Sequence, residues 1–206
     1  SKANSARETN MFDNEIVSIT NNDEKINKDG GIRPNTSHEI LDGLKLAFDE
    51  NGTVTAGTAS PLTDGASAVI VCEEEYAKKN NLNILARIKS TAVVGCPPEL
   101  MGLGPINASK KALKRANLSI SDIDIVELNE AFASQSLACI KELNMDINKV
   151  NIHGGAIALG HPLGATGARI TGKVATLLQN KNKKYGLATQ CIGLGQGIAT
   201  VLENIN

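Results

Sequence analysis

From Asp64 onward, short apolar runs alternate with amphipathic segments along the chain. Three of the apolar runs predict strands, at 66–71, 84–94 and 124–128. Two amphipathic segments predict helices, at 73–80 and 107–116, the first with acidic residues at its start and basic ones at its end. This alternation is typical of a layered α/β fold.

The second half of the chain continues the pattern. A helix is predicted from Asn129 to about Leu143, with one apolar face formed by Ala133, Leu137 and Ile140. A second helix is predicted from the i, i+4, i+7, i+8 spacing of four apolar residues, Ile170, Val174, Leu177 and Leu178. Two strands, at 185–192 and 197–203, are joined by a glycine-rich link so short that it favours antiparallel pairing. The predicted sheet is therefore mixed.

Residues 1–60 are polar and irregular by comparison. The stretch 19–37 is rich in Asn, Asp, Lys and Gly and predicts a surface loop. A helix is predicted over 37–48 with Ser37 as its N-cap, followed by a short β-like run at 52–57.

Composition narrows the classes of function. The 206 residues are 41% hydrophobic, and 21 basic residues nearly balance 22 acidic ones, which argues against nucleic acid as the main partner. The longest apolar runs are too short to span a membrane. The four cysteines match no zinc spacing, so reduced thiols in a cytoplasmic location are expected, with Cys72 and Cys139 in the core. The chain starts without an initiator Met or a targeting segment, which suggests the middle of a longer protein.

Three stretches are candidates for chemistry. In "NEAFA" (129–133), Asn129 either caps the following helix or aims its amide into a cleft. In "GGAIALGHPLGATGAR" (154–169), His161 is either structural or catalytic, and glycines would let the loop approach a ligand. In "CIGLGQG" (191–197), Cys191 is either a core thiol before a turn or a ligand-facing one, with Gly193 offering its N–H to an oxyanion.

These three stretches, in this order and spacing, resemble the C-terminal signatures of the thiolases. Three earlier stretches agree with the resemblance: "GTVTAGTASPLTDGASAVIV" (52–71), "MGLGPINASKKAL" (101–113) and "SDIDIVELNEAFA" (121–133). The resemblance implies a thiolase-like layered α/β fold with a mixed sheet. It also implies that the chain matches the second half of a subunit about twice as long.

The resemblance further implies a domain division. Residues 1–62 would be the later part of the loop domain, 63–83 the last strand and helix of the N-terminal half-domain, and 84–206 the C-terminal half-domain. The nucleophilic cysteine of the family belongs to the N-terminal half and is not among the four cysteines here. The chain alone is therefore expected to be inactive.

The family reaction is a reversible Claisen condensation of two acetyl-CoA to acetoacetyl-CoA and CoA, through an acyl-cysteine. By resemblance, His161 would take the proton of the nucleophile, and its ring N–H would also help to hold the thioester oxygen of the second substrate. Asn129 would hold a water of the first oxyanion hole. Cys191 would be the general base for the α-proton, and Gly193 would donate to a second oxyanion hole. A thiol suits proton transfer because its ordinary pKa, about 8.5, is near neutral pH.

Substrate contacts follow from the same resemblance. Four residues match the pantetheine tunnel and acyl pocket: Ser60, Met101, Ala131 and Phe132. Arg33 either meets the CoA nucleotide or is a solvated loop arginine. Three positions depart from the usual pattern, Thr58, His153 and Leu194. Leu194 replaces a glycine and either narrows the site or packs outward.

The expected partners are acetyl-CoA, acetoacetyl-CoA, the N-terminal half of the subunit and further copies of the chain, as a homodimer or homotetramer. No metal and no cofactor beyond the CoA thioester is expected, and neither nucleic acid nor a membrane. Three alternatives stay open: a degradative 3-ketoacyl-CoA thiolase of longer chain preference, a non-catalytic assembly module and a plain CoA-binding protein.

Overall fold

The computed structural model describes residues 1–205. Its helices are α1 Lys2–Glu8, α2 His38–Asp42, α3 Glu74–Lys79, α4 Gly104–Ala116, α5 Ala133–Glu142, α6 Ala156–Leu159 and α7 Thr166–Asn180. Its strands are β1 Ile19–Asn21, β2 Glu24–Ile26, β3 Arg87–Gly95, β4 Ile125–Leu128, β5 Tyr185–Ile192 and β6 Gln196–Glu203. Three short 3₁₀ helices lie at Pro98–Leu103, Ile120–Asp122 and Ile147–Lys149.

The main sheet has four strands in the order β3-β6-β5-β4. Strand β4 runs parallel to β5, with Leu128 opposite Thr189, whereas β6 is antiparallel to both β5 and β3. The mixed α/β sheet expected from the sequence is therefore confirmed. The parallel pair has a functional consequence, since the carboxyl ends of β4 and β5 point toward the same edge of the sheet.

Helices cover both faces of this sheet. On one face, α4 and α5 pack through buried Ala108, Ala112 and Cys139 against Leu187 and Val201 of the sheet. On the other face, α7 buries the four residues with the predicted helical spacing, Ile170, Val174, Leu177 and Leu178. The sheet side of this second core is formed by Ile125, Ala188 and Leu202. The result is an α/β/α sandwich.

The first 60 residues are attached to this sandwich by a third, smaller core. Ala3, Ala6, Phe12 and Ile32 are buried together, with Leu159 of α6 packed against them. Strands β1 and β2 form a separate three-residue hairpin on the surface. Within residues 1–205, no helix combines the length and the apolar character needed to cross a membrane.

Several predicted elements are shorter than expected. The helix predicted over 37–48 is capped by the Ser37 side chain, as expected, but it ends at Asp42. The β-like run at 52–57 is reduced to a single bridge between Leu46 and Thr55.

The predicted strand at 66–71 is wrong for the described chain. These residues form no strand and are exposed, with Ile70 91% accessible. An apolar run becomes a strand only when another strand supplies hydrogen-bond partners, and residues 1–205 place none beside it. Cys72, which follows the run, is likewise exposed and not a core thiol, whereas Cys139 is fully buried as predicted.

Helix α5 also departs from prediction, because it begins four residues after Asn129. Its buried face is formed by Gln135, Ser136 and Cys139, and Leu137 is 57% exposed. The predicted apolar face is therefore wrong at Leu137, whereas Ile140 packs against the core as predicted. Hydrophobic periodicity depends on apolar residues only, so it does not identify the polar residues Gln135 and Ser136 as core positions.

These burials predict a contrast between two leucines. Leu178→Ala, in α7, should lower the free energy of unfolding by about 2–5 kcal/mol, because it leaves a cavity at a fully buried position. Leu137→Ala, in α5, should change it by about 0.5 kcal/mol or less. Urea unfolding followed by circular dichroism measures both, and equal losses would contradict the assigned faces.

Candidate active site

His161 is placed by the loop between α6 and α7. The preceding residue, Gly160, has a φ of +93°, and a side chain there would collide with Thr63. The backbone N–H of His161 then donates to the hydroxyl of Thr63 at 3.3 Å. Glycine is therefore required at position 160 for the loop to present His161 beside the residue 63 segment.

The imidazole ring of His161 is held at both nitrogens. Nε2 lies 3.3 Å from Nδ2 of Asn129, and Nδ1 lies 2.7 Å from the hydroxyl oxygen of Thr166. Burial lowers the pKa of His161, and the positive charge of Arg169 lowers it further. The ring is thus neutral near pH 7, the form in which a histidine acts as a base.

Asn129 follows β4 directly and is 1% exposed. Its backbone N–H donates to the carbonyl of Thr189 in β5 at 3.0 Å, which continues the parallel pairing beyond Leu128. Phe132, not Asn129, is the residue that precedes α5, so the alternative of Asn129 as helix cap is wrong. Within residues 1–205, Oδ1 of Asn129 is buried without a hydrogen-bond partner, so it is available to accept from a water or a substrate.

Hydrogen bonds of Glu130 and Asn151 connect the segment that carries Asn129 to the segment that precedes His161. The Glu130 carboxylate accepts from the Asn151 amide at 2.8 Å and from the Ile157 backbone at 3.2 Å. Asn151 also accepts from the backbone N–H of Leu128 and donates to its carbonyl. These bonds join the end of β4 to the start of α6, and they fix the position of the Asn129 segment relative to the His161 loop.

Cys191 and Gly193 lie at the carboxyl end of β5, the strand beside β4. Cys191 pairs with Gly197 of β6 and is half-buried, and burial raises the pKa of its thiol. The resting group is therefore a thiol, held more firmly in its neutral form than an exposed cysteine would be. Gly193 is exposed, with no atom within 4 Å of the place where a side chain would stand.

Leu194 is the unusual residue of this turn. It is 88% exposed and has a φ of +67°, a left-handed conformation that is costly for leucine. The adjacent Gly195, also left-handed, packs against the carbonyl of Cys96, which accounts for its lack of a side chain. Leu194 is therefore exposed on the described chain, next to the equally exposed Gly193.

Three of the four predicted tunnel residues are brought together. The backbone N–H of Ser60 donates to the carbonyl of Ala131 at 3.0 Å, and Ala59 bridges Phe132. Met101 lies in the 3₁₀ helix that packs against α5 and the β5–β6 pair. Arg33 is exposed, and in the described part of the chain no hydrogen bond or ion pair joins its side chain to the other predicted site residues.

Sequence reasoning missed Glu127, Thr166 and Arg169. Glu127 is 2% exposed in β4, and burial raises its pKa to about 8 against the opposing charges of Arg169 and Lys173. An acidic residue inside the otherwise apolar run "IVEL" (125–128) was the available signal. His153, a departure noted above, contacts Lys173 at 3.1 Å and stacks edge-on with Phe12, so it joins the N-terminal segment to α7.

Two family descriptions match this chain. The C-terminal domain of thiolase matches residues 82–204, and the N-terminal domain of thiolase matches residues 1–75. The chain belongs to the thiolase family. The finer division at residues 62 and 83 stays a prediction.

Curated relatives agree with this assignment. A 3-ketoacyl-CoA thiolase of Shewanella loihica is 55% identical over 98% of the chain and 54% of its own length. One of Vibrio vulnificus is 58% identical over 86% of the chain and 47% of its own length. The chain thus spans about half the length of the curated relatives it matches.

Solved structures show the same fold. The whole of this chain superposes on the crystal structure of human mitochondrial 3-ketoacyl-CoA thiolase, with a TM-score of 0.95 and 44% sequence identity. The superposition covers 52% of the human chain. The crystal structure of the Bacillus anthracis acetyl-CoA acetyltransferase superposes on 98% of this chain, with a TM-score of 0.93 and 42% sequence identity. The superposition covers 52% of the Bacillus anthracis chain. The thiolase fold expected from the sequence is confirmed.

The raised pKa of Glu127 predicts a pH-dependent stability. Between its ordinary pKa of 4.5 and about 8, the folded protein keeps a proton that the unfolded chain releases. The free energy of unfolding should therefore fall as pH rises through this window, and Glu127→Gln should flatten the dependence. Urea unfolding between pH 5 and 8 tests this.

The matched control is Glu142→Gln, which alters an exposed carboxylate paired with Lys110. It should leave the pH slope of the wild type in place. If Glu127→Gln had the same slope as the wild type, Glu127 would be ionised in the folded protein.

Proposed function

We propose that this chain supplies the C-terminal part of a thiolase active site, which exchanges acyl groups between coenzyme A thioesters. The observation that carries the proposal is the direct contact of His161 with Asn129, at the same sheet edge as Cys191. A neutral imidazole, a buried amide and a thiol are the groups that acyl transfer followed by enolate chemistry requires.

In the proposed reaction, a cysteine from the N-terminal half attacks the thioester of the first acyl-CoA. His161 takes the proton from that thiol, an acyl–sulfur bond forms, and the bond to CoA breaks while Cys191 gives its own proton to the departing CoA thiolate. The thiolate form of Cys191 then removes the α-proton of a second acetyl-CoA. The resulting carbanion attacks the acyl-enzyme, and the cysteine is released as the leaving group and takes its proton back from His161, giving 3-ketoacyl-CoA. Thiolysis is the reverse sequence.

The hydrogen-bond donors and acceptors have matching tasks. Oδ1 of Asn129, buried and without a partner in the described residues, is suited to hold the water of the first oxyanion hole. Gly193 has open space before it, which suits an N–H that donates to the acyl-enzyme carbonyl. Ser60, Ala131 and Phe132 would line the approach for pantetheine, and Arg33 would contact the CoA nucleotide.

The proposed partner of this chain within the subunit is an N-terminal thiolase half. The exposed apolar run at 66–71 supports this, since Val69, Ile70 and Val71 are left uncovered by residues 1–205. Assembly of complete subunits into a homodimer or homotetramer in the cytoplasm, with no cofactor beyond the CoA thioester and no metal, completes the proposal.

The test of the mechanism separates the two half-reactions. In protein that combines this chain with an N-terminal half, Cys191→Ala should still form the acyl-enzyme from acetyl-CoA but should lose acetoacetyl-CoA synthesis by at least about 10². His161→Ala should slow acylation itself. Mass spectrometry of the acylated protein and a condensation assay measure the two steps.

Two results would contradict the mechanism. Absence of any acyl-enzyme in the unaltered protein would favour a non-catalytic assembly module. Unchanged turnover in Cys191→Ala would favour a plain CoA-binding role for this region.

A second candidate concerns the acyl chain. The curated relatives are named 3-ketoacyl-CoA thiolases, which favours thiolysis of longer 3-ketoacyl chains over condensation of acetyl-CoA. Comparison of kcat/KM for acetoacetyl-CoA and 3-ketodecanoyl-CoA decides between them. An acetyl-specific enzyme should prefer acetoacetyl-CoA by at least about tenfold, because the longer chain would not fit, whereas a degradative one should accept both.

A further inference from the structure

Thr166 is a buried polar residue in direct contact with His161. It is the first residue of α7, its side chain is fully inaccessible, and its hydroxyl lies 2.7 Å from Nδ1 of the imidazole. The same hydroxyl lies 3.0 Å from the carbonyl of Pro162, one turn earlier. The roles expected from the resemblance for His161 and Asn129 do not involve it.

The direction of each hydrogen bond follows from the donor at the opposite side of the ring. Nδ2 of Asn129 can only donate, so Nε2 of His161, 3.3 Å away, must accept. In a neutral imidazole the proton then lies on Nδ1, which donates to Thr166. The single hydroxyl proton of Thr166 is left for the carbonyl of Pro162.

We propose that Thr166 is a positioning residue that holds His161 in the tautomer with its proton on Nδ1 and a bare Nε2 beside Asn129. The inference rests on the proposed function for its catalytic meaning. It defines the nitrogen that takes the proton from the nucleophilic cysteine, and that nitrogen is Nε2.

The same arrangement serves the next step. After Nε2 has taken the thiol proton, Nδ1–H still donates to Thr166, so the imidazolium keeps its orientation. Once protonated, Nε2 can no longer accept from Nδ2 of Asn129, so its new N–H is free to donate to a thioester oxygen bound beside the ring. Thr166 thus stabilises the charged ring without touching the substrate.

If the Thr166 hydroxyl served only the helix, Thr166→Val would have the same effect as the loss of any other threonine that bonds to the helix backbone. A threonine near the start of a helix often donates to the carbonyl four residues earlier, and Thr171 of the same helix does so with Gly167 at 2.7 Å. Thr171 therefore has the helix bond without the imidazole bond. Thr171→Val is the matched control for Thr166→Val, and Thr166→Ser retains the hydroxyl.

The tautomer can be observed without any activity assay. The chain contains three histidines, His38, His153 and His161, so ¹⁵N-histidine labelling of protein that combines this chain with an N-terminal half adds only three imidazoles from this region. Comparison with a variant lacking His161 assigns its signals. The unaltered protein, Thr166→Ser and Thr171→Val should show the proton on Nδ1, whereas Thr166→Val should show a mixture of tautomers or a proton on Nε2.

Kinetics provides the second measurement. Thr166→Val should slow acyl-enzyme formation by about tenfold to a hundredfold, because a hydrogen bond to the charged imidazolium is lost, with KM unchanged. The pKa of His161 should fall, so the acidic limb of the acylation profile should move to lower pH. Arg169 is the charged group that acts on this ring, and it is unchanged in every variant.

The outcomes are distinguishable. A proton on Nε2 in the unaltered protein, or the same acylation rate in Thr166→Val and Thr171→Val, would overturn the role of Thr166. If Thr166→Val does not fold, the tautomer of the unaltered protein and the rate of Thr166→Ser still decide. If acyl-enzyme never forms in the unaltered protein, the proposed function fails while the tautomer measurement still tests Thr166.

Discussion

The packing of α7 against the β4–β5 pair determines the geometry of the candidate site. Four aliphatic side chains of α7 are buried on the sheet, and each such burial contributes about 1.5–3 kcal/mol. This contact sets where the first turn of α7 lies, and with it Thr166 and the loop that carries His161. Asn129 directly follows the first of these strands, and Cys191 is the penultimate residue of the second. One hydrophobic interface thus aligns the imidazole, the amide and the thiol.

Burial has a second effect, because it keeps the titratable groups of this region neutral. It lowers the pKa of His161 and raises the pKa of Cys191 and of Glu127. A neutral imidazole is ready to accept a proton, and a neutral thiol needs a change before it becomes a base. In the proposed reaction, transfer of its proton to the departing CoA is that change. The apolar surroundings that stabilise the fold therefore have opposite effects on the two groups. They leave His161 able to accept a proton at once, and they keep Cys191 in a form that must first lose one.

The segment before β3 shows how strongly local pattern depends on a partner. The run at 66–71 has the composition of a buried strand, yet residues 1–205 leave it exposed. The pairing of Ser60 with Ala131, in contrast, joins two segments that no periodicity connects. An apolar composition indicates that a segment becomes buried. It does not indicate which other segment buries it, because that depends on how the whole chain is assembled.

The sequence alone determined the α/β class, the mixed sheet, the buried face of α7 and the family, because periodicity and motif spacing are local or nearly local. It also identified His161, Asn129 and Cys191 as the residues of interest. Only the tertiary structure decided that α5 buries Gln135 and Ser136, that Leu194 adopts a left-handed backbone conformation, and that Thr166 contacts the imidazole of His161. These features depend on which residues from distant segments meet, and on the removal of water around them. A one-dimensional pattern does not contain that information.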